Sequence, residues 1–218
     1  MKNILLIGMG KFGTILGEKL LEQDNEVLAV DKNEDKINLC SNTFTHAVTA
    51  NCMNIETLKS FNIPSFDACI VTIGDDFQAS LQITSLLKEL GAKYVISKAS
   101  TEIQKKFLLK NGADEVVYPD FDTAEKLAIM VNSNKVFDYF AINDTHSIFE
   151  IIAPLDWVGK SLIDLNIRKK YHINVLMVTR NEEVISSLTE DFAFEENDHV
   201  VIFGETEKLM EYTNKKIK

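Results

Sequence analysis

The sequence predicts an α/β protein: a parallel sheet covered by helices on both faces, followed by a smaller α+β part. Three observations carry this reading. Short, continuously apolar runs (ILLI, VLAV, CIVTI, YVIS, EVVY) recur through the first 120 residues, the pattern of strands buried on both faces. A helical pattern follows each run, so successive strands are parallel and joined by right-handed crossovers. The first run leads through Gly8, Gly10 and Gly13 directly into a helix, the glycine spacing of a tight strand–turn–helix. Together these give a doubly wound, Rossmann-like sheet.

The elements follow in order. Asn3–Ile7 reads as a strand, and Phe12–Gln23 as a helix through Phe12, Leu16, Leu20 and Leu21. Glu26–Val30 is a strand ending on Asp31, Glu34–Ser41 a helix, His46–Thr49 a short strand and Ile55–Phe61 a helix. Ala68–Thr72 is a fully apolar strand, Asp76–Leu90 a long helix, Tyr94–Ser97 a strand, Thr101–Asn111 a helix and Glu115–Tyr118 a last short strand. The pattern then changes. Phe121–Asn134 is helical with no strand directly after it, and beyond Phe140 strands dominate: Ile148–Ala153, Asn174–Arg180, Glu183–Ser186 and His199–Phe203, with one helix at Ser161–Lys170. Asn181-Glu182 between two strand patterns reads as a hairpin turn. The expected division is 1–135 and 136–218, joined by a helix around Ala124–Asn134 that couples the two parts mechanically. A part so small gains from dimerisation.

Composition narrows the function classes. The chain has 33 acidic and 23 basic residues, a formal charge of −10, the wrong balance for a reader of nucleic-acid backbones. The basic end, Lys215, Lys216 and Lys218, reads as a solvated tail. Three cysteines, Cys40, Cys52 and Cys69, show neither CxxC nor zinc-ligand spacing, which fits a reduced cytoplasmic interior. The apolar stretch before Gly8 is too short for a secretory signal, and no run approaches the roughly 20 apolar residues that span a bilayer. Any membrane role therefore goes through a partner.

The glycine turn points to a nucleotide. Gly8 permits the tight turn, Gly10 lets the backbone approach a phosphate, and Gly13 lets the helix pack on the sheet. The helix N-terminus offers free N–H groups and partial positive charge. Asp31, 23 residues past Gly8, stands near the spacing at which a carboxylate bonds ribose hydroxyls, and disfavours a 2′-phosphate. Loops at the other strand ends add Asn51, Gly74 with Asp75, Lys98 and Asp120. Lys98 reads either as a phosphate counter-charge or as a surface lysine. Asp120, in "PDFD", reads either as a ligand of a divalent cation beside a polyphosphate or as part of a solvated helix start. The four histidines, His46, His146, His172 and His199, form no recognisable catalytic cluster, and no GxSxG, Walker A or HExxH motif is present. Binding without catalysis is favoured over a small NAD-dependent oxidoreductase, and an NAD-sensing interaction protein on the same scaffold stays open.

Five stretches together resemble a known family. "IGMGKFGTILGEKLLEQDNEVLAVDKNEDKINL", "THAVTANCMN", "VTIGDDFQASLQITSLLKELG" and "LLKNGADEVVYPDFD" resemble the RCK (KTN) nucleotide-binding domain, and "APLDWVGKSLIDLNIRKKYHINVLMVTRNEEV" its C-terminal companion. The order and extent are those of KtrA/TrkA-type regulatory subunits of bacterial potassium uptake. The resemblance implies a non-enzymatic, cytoplasmic gating subunit, peripheral to the membrane through a potassium-translocating (KtrB/TrkH-like) partner, and a homodimer assembling into an octameric ring. It implies ATP/ADP, or alternatively NAD/NADH, on Gly8, Gly10, Lys11, Phe12, Gly13, Asp31, Lys32, Asn51, Cys52, Gly74, Asp75 and Lys98. It also implies Mg²⁺ or another divalent cation at Asp120. Lys11 stands where many relatives carry an arginine that reaches phosphate across the dimer; lysine keeps the charge and loses the planar fork. Cyclic di-AMP is implied at Arg168, Asn174 and Val175, although "SSLTED" departs from the proline-containing stretch of several relatives.

Overall fold

The computed structural model describes residues 1–44, 46–133 and 135–214. Two compact units divide the chain, Met1–Phe121 and Asp122–Lys218. In the first, β1 (Asn3–Ile7), β2 (Glu26–Asp31), β3 (His46–Thr49), β4 (Ala68–Val71), β5 (Val95–Lys98) and β6 (Glu115–Val117) form one sheet. Its order is β3-β2-β1-β4-β5-β6, and every neighbouring pair is parallel. The connecting helices are α1 (Lys11–Leu21), α2 (Glu34–Cys40), α3 (Ile55–Ser60), α4 (Phe77–Glu89) and α5 (Glu102–Lys110).

Alternation along the strands builds two apolar layers. Leu5, Ile7, Val30 and Val71 pack on one face with Leu58, Ile83 and Leu87. Ile4, Leu6, Val27 and Ala29 pack on the other with Ile37, Cys40 and Phe44. Burial on both faces is why these strands read as continuous apolar runs. Four helices start on side-chain caps: Asn33, Asn54, Asp76 and Thr101 accept from the N–H groups of Asp35, Glu56, Ala79 and Gln104. By contrast α1 starts at Gly10 with no side-chain cap. The chain path reverses between neighbours β1 and β4, and a crevice opens at the carboxyl ends of strands at such a switch point.

Helix α6 (Pro119–Asn132) starts in the first unit and continues into the second, which contains β7 (Val136–Ala141), β8 (His146–Ile152), α7 (Leu162–Leu165), α8 (Ile167–Tyr171), β9 (Asn174–Arg180), β10 (Glu183–Ile185), β11 (His199–Glu205) and α9 (Thr206–Asn214). The antiparallel sheet order is β10-β9-β11-β8-β7, around a core with Trp157, Phe149 and Phe194 fully buried. Asn181 and Glu182 join β9 to β10 with φ of 50° and 68°, the double positive φ of a tight hairpin.

Three expectations are corrected here. A strand, β7, does follow α6. Its register against β8 shifts between Val136 and Asp138, so its buried residues, Val136 and Tyr139, fall three apart and hide the strand period. The single helix at Ser161–Lys170 is two, broken at Asn166, whose φ is 48°; Ser161 and Asp164 close a capping box on the first. The chain also adds α9, which buries Leu209 in the second core. Asn134, the expected end of the α6 helix, and Lys215, Lys216 and Lys218 lie outside the described residues.

One buried ion pair ties the second unit's loops to its sheet. The Arg180 fork donates to both oxygens of Asp198 at 2.8 Å, and the N–H of Glu195 donates to the same carboxylate at 2.8 Å. Burial pushes the Asp198 carboxyl up, but the Arg180 hydrogen bonds and charge and the Glu195 N–H outweigh it and hold the group below its usual value. A carboxyl depressed in this way adds stability that is complete above its unfolded value of about 3.9 and is lost as pH falls through the folded value. Asp198→Asn should lower stability at neutral pH by about 2–3 kcal/mol and flatten the loss between about pH 5 and pH 2. Trp157, the single tryptophan and a member of this core, reports it in denaturant titrations followed by fluorescence.

Candidate nucleotide site at the sheet switch point

The switch-point crevice contains a cavity of about 480 Å³, within the usual range for small-molecule sites of about 300–1,000 Å³. Its floor is the glycine turn. Gly8 has φ of +103°, the left-handed region that glycine adopts without strain, and its N–H donates to Val30 at 2.8 Å. The Thr72 hydroxyl donates to the Gly8 carbonyl, fastening the turn to the end of β4. Gly13 lies beneath the cavity without lining it: a Cβ there would stand 2.0 Å from the Gly8 carbonyl oxygen. Gly10 lines the cavity, and a Cβ on it would meet nothing within 4 Å. The free N–H groups of α1's first turn therefore face open space with no side chain over them, and no acidic residue occupies that turn. This is the arrangement that accepts a phosphate.

Asp31 sits at the end of β2 with 7% of its surface exposed. Its Oδ2 accepts from the Met9 N–H at 2.7 Å and its Oδ1 from the Asn33 N–H at 2.9 Å. Each carboxylate oxygen keeps a second lone pair, enough for the two hydroxyls of a ribose. Lys98 is 15% exposed, with its Nζ 5.5 Å from the centre of the Phe12 ring and 3.6 Å from Asp120 Oδ2. It borders the same cavity as Gly74, Lys11 and Asp75. Asn51, Cys52, Ala50 and Met53 line another part of the wall with Ile73, Ala79 and Ile83. Burial, with the nearby charge of Asp31, pushes the Cys52 thiol up to about 12, so at neutral pH it is an uncharged, inert wall.

The structure brings together Gly8, Gly10, Lys11, Phe12, Asp31, Lys32, Asn51, Cys52, Gly74, Asp75 and Lys98. It places Asp120 apart, in the first turn of α6, 75% exposed and paired with Lys98. Among the described residues no three His, Cys, Asp or Glu side chains converge as metal ligands. Arg168 is exposed on α8, and Asn174 and Val175 open β9 in the second unit. None of the histidines lines the cavity. Sequence reasoning missed Lys36, Thr72 and Asp76, which also line it. Asp76 had a signal, a cap residue opening a helix after an apolar strand; Thr72 and Lys36 had none beyond adjacency to the motifs.

A parallel six-stranded sheet with this turn, this acid and this cavity defines a Rossmann-type nucleotide-binding unit, joined here to a small antiparallel unit. Residues 4–119 match the TrkA-N domain and residues 147–216 the TrkA-C domain. The chain is 37% identical over 203 residues to the Ktr system potassium uptake protein C of Bacillus subtilis (strain 168), covering 93% of this chain and 92% of that one. It is 30% identical over 208 residues to the Ktr system potassium uptake protein A of Vibrio alginolyticus, covering 95% and 94%. The chain therefore belongs to the TrkA/Ktr family of potassium-uptake subunits. Its fold is also that of the GsuK channel bound to NAD, with a TM-score of 0.71 at 15% identity over 99% of this chain and 40% of that channel chain.

The two glycines separate folding from binding. Gly13→Ala should destabilise the first unit by about 3 kcal/mol, a fall of roughly 10 °C in melting temperature. Gly10→Ala should melt within about 2 °C of wild type yet lose ADP affinity at least about ten-fold. Calorimetric melting and ADP titration check both.

Proposed function

We propose that this chain is a cytoplasmic, nucleotide-binding regulatory subunit of a bacterial potassium transporter, with no reaction of its own. It docks on a membrane potassium-translocating subunit of the KtrB/TrkH kind, and exchange of ATP for ADP changes the conformation of an octameric ring assembled from dimers, and with it ion flux. One observation carries the nucleotide assignment: the uncapped first turn of α1, bared by Gly10, shares one cavity with Asp31 and Lys98. The relatives named as potassium uptake proteins over nearly their whole length support the partner. No described helix is long and apolar enough to cross a membrane.

The phosphate end supports ATP/ADP. Lys11 and Lys98 border the cavity there, and in this reading Asp120, 3.6 Å from Lys98 Nζ, shares a divalent cation such as Mg²⁺ with a polyphosphate and further ligands. A second reading is NAD(H), because the glycine turn and Asp31 suit the adenosine half of either ligand. In its favour, the NAD(P)-binding domain of an exopolyphosphatase-related protein from Archaeoglobus fulgidus is 26% identical over 60% of this chain, with a TM-score of 0.53. Cyclic di-AMP, on Arg168, Asn174 and Val175 of the second unit, is the further ligand in the proposal. It rests on the likeness of that stretch to the family's C-terminal domain.

Thermal shift of the purified protein separates these ligands. At about 100 times its Kd a bound ligand adds about 2.7 kcal/mol, a rise of roughly 8 °C. ATP and ADP should each give it, with Mg²⁺ enlarging the ATP shift alone. A shift with NADH and none with ATP or ADP establishes the second reading, and no shift with any adenine nucleotide overturns the assignment.

A further inference from the structure

Lys36 is not among the site residues expected from the sequence, yet it borders the cavity and its Nζ stands 3.7 Å from Asp31 Oδ2. It lies in the first turn of α2, which is locked to the end of β2 from both sides. The Asn33 N–H donates to Asp31 Oδ1 at 2.9 Å, while the Asn33 side chain accepts from the Asp35 N–H at 2.8 Å. The backbone that orients the carboxylate therefore also sets where the Lys36 main chain lies beside Asp31.

The other nearby charges are engaged elsewhere or face water. Lys32 Nζ lies 3.6 Å from Asp76 Oδ2, and the side chain is 66% exposed. Glu34 and Asp35, in the first turn of α2, are exposed. That leaves Lys36, 44% exposed against 8% for the Asp31 side chain, as the counter-ion of a buried carboxylate. At 3.7 Å it lies outside hydrogen-bond distance and well inside the range of charge attraction. Asp31 has two lone pairs committed to backbone N–H groups and two remaining. Lys36 uses neither of the remaining two.

We propose that Lys36 is a positioning and specificity-determining residue of the nucleotide site. It places a counter-charge beside Asp31 while leaving free the lone pairs that a ribose diol needs, and so sets the preference for an intact ribose. The inference rests on the proposed nucleotide role of Asp31 and adds to it a residue that acts through Asp31 without touching the ligand.

The test is calorimetric titration of wild type, Lys36→Met and Lys36→Arg with ADP and with 2′,3′-dideoxy-ADP. Lys36→Met should weaken ADP binding about five-fold and leave dideoxy-ADP unchanged, so the ratio of the two affinities collapses. Lys36→Arg should restore the ratio. Equal losses for both nucleotides would make Lys36 a general attractor of phosphate charge and overturn the proposal; so would no loss. Wild type binding both nucleotides equally would remove Asp31 from the ribose, overturning this inference while leaving the phosphate end standing. Wild type binding neither would overturn the nucleotide site itself.

Discussion

Everything at the site depends on how closely α1 lies against the turn that follows β1. At Gly13 the helix approaches the Gly8 carbonyl so tightly that a Cβ would be 2.0 Å from its oxygen. One turn on, a Cβ at Gly17 would stand 2.5 Å from the Phe44 ring and 2.9 Å from Leu6. Two glycines on one face thus set the helix down on the sheet, and the Thr72 hydroxyl fastens the turn to β4 from beneath. The consequence is directional. With the helix seated this low, its uncapped N–H groups point into the switch-point cavity, within reach of what Asp31 and Lys98 also border.

That seating also explains how charge is distributed. The chain carries a formal charge of −10, yet Lys11, Lys32, Lys36 and Lys98 line a single cavity. Three of them stand near acids: Lys36 by Asp31, Lys32 by Asp76 and Lys98 by Asp120. The cavity is therefore a set of exchangeable ion pairs around a fixed dipole. A ligand shifts a conformational balance only through unequal affinity for the two states. The adenosine half is common to ATP and ADP and provides no such difference between them. In the proposed function the added phosphate acts at the other end, where Lys98 is shared with an exposed carboxylate at the start of α6.

The first unit was legible because its physics is local. Strands buried on both faces leave unbroken apolar runs, and glycine spacing reports backbone contact, so β1 to β6 and the turn were readable in order. Residues reached through the motif, such as Asp31, Asn51 and Lys98, fell in the cavity for the same reason: parallel strands deliver their carboxyl ends to one edge. What stayed hidden was set by tertiary detail. The shifted register of β7 erased its period-two signal, the left-handed Asn166 cut one helix into two, and α9 follows β11 without a break that composition could mark. Thr72 and Lys36 were unreadable because their roles come from distance across the crevice. Asp31 showed its position but not its commitments: the two N–H groups it holds appear only in three dimensions.

The central claim is that a phosphate sits on the first turn of α1 with its ribose on Asp31, and a crystal structure of the protein grown with ADP tests it most directly. Phosphate oxygens are expected within hydrogen-bond distance of the N–H groups of α1's first turn, and both ribose hydroxyls donating to Asp31, whose bonds to Met9 and Asn33 persist. ADP bound elsewhere, or bound here with its ribose turned away from Asp31, would contradict it.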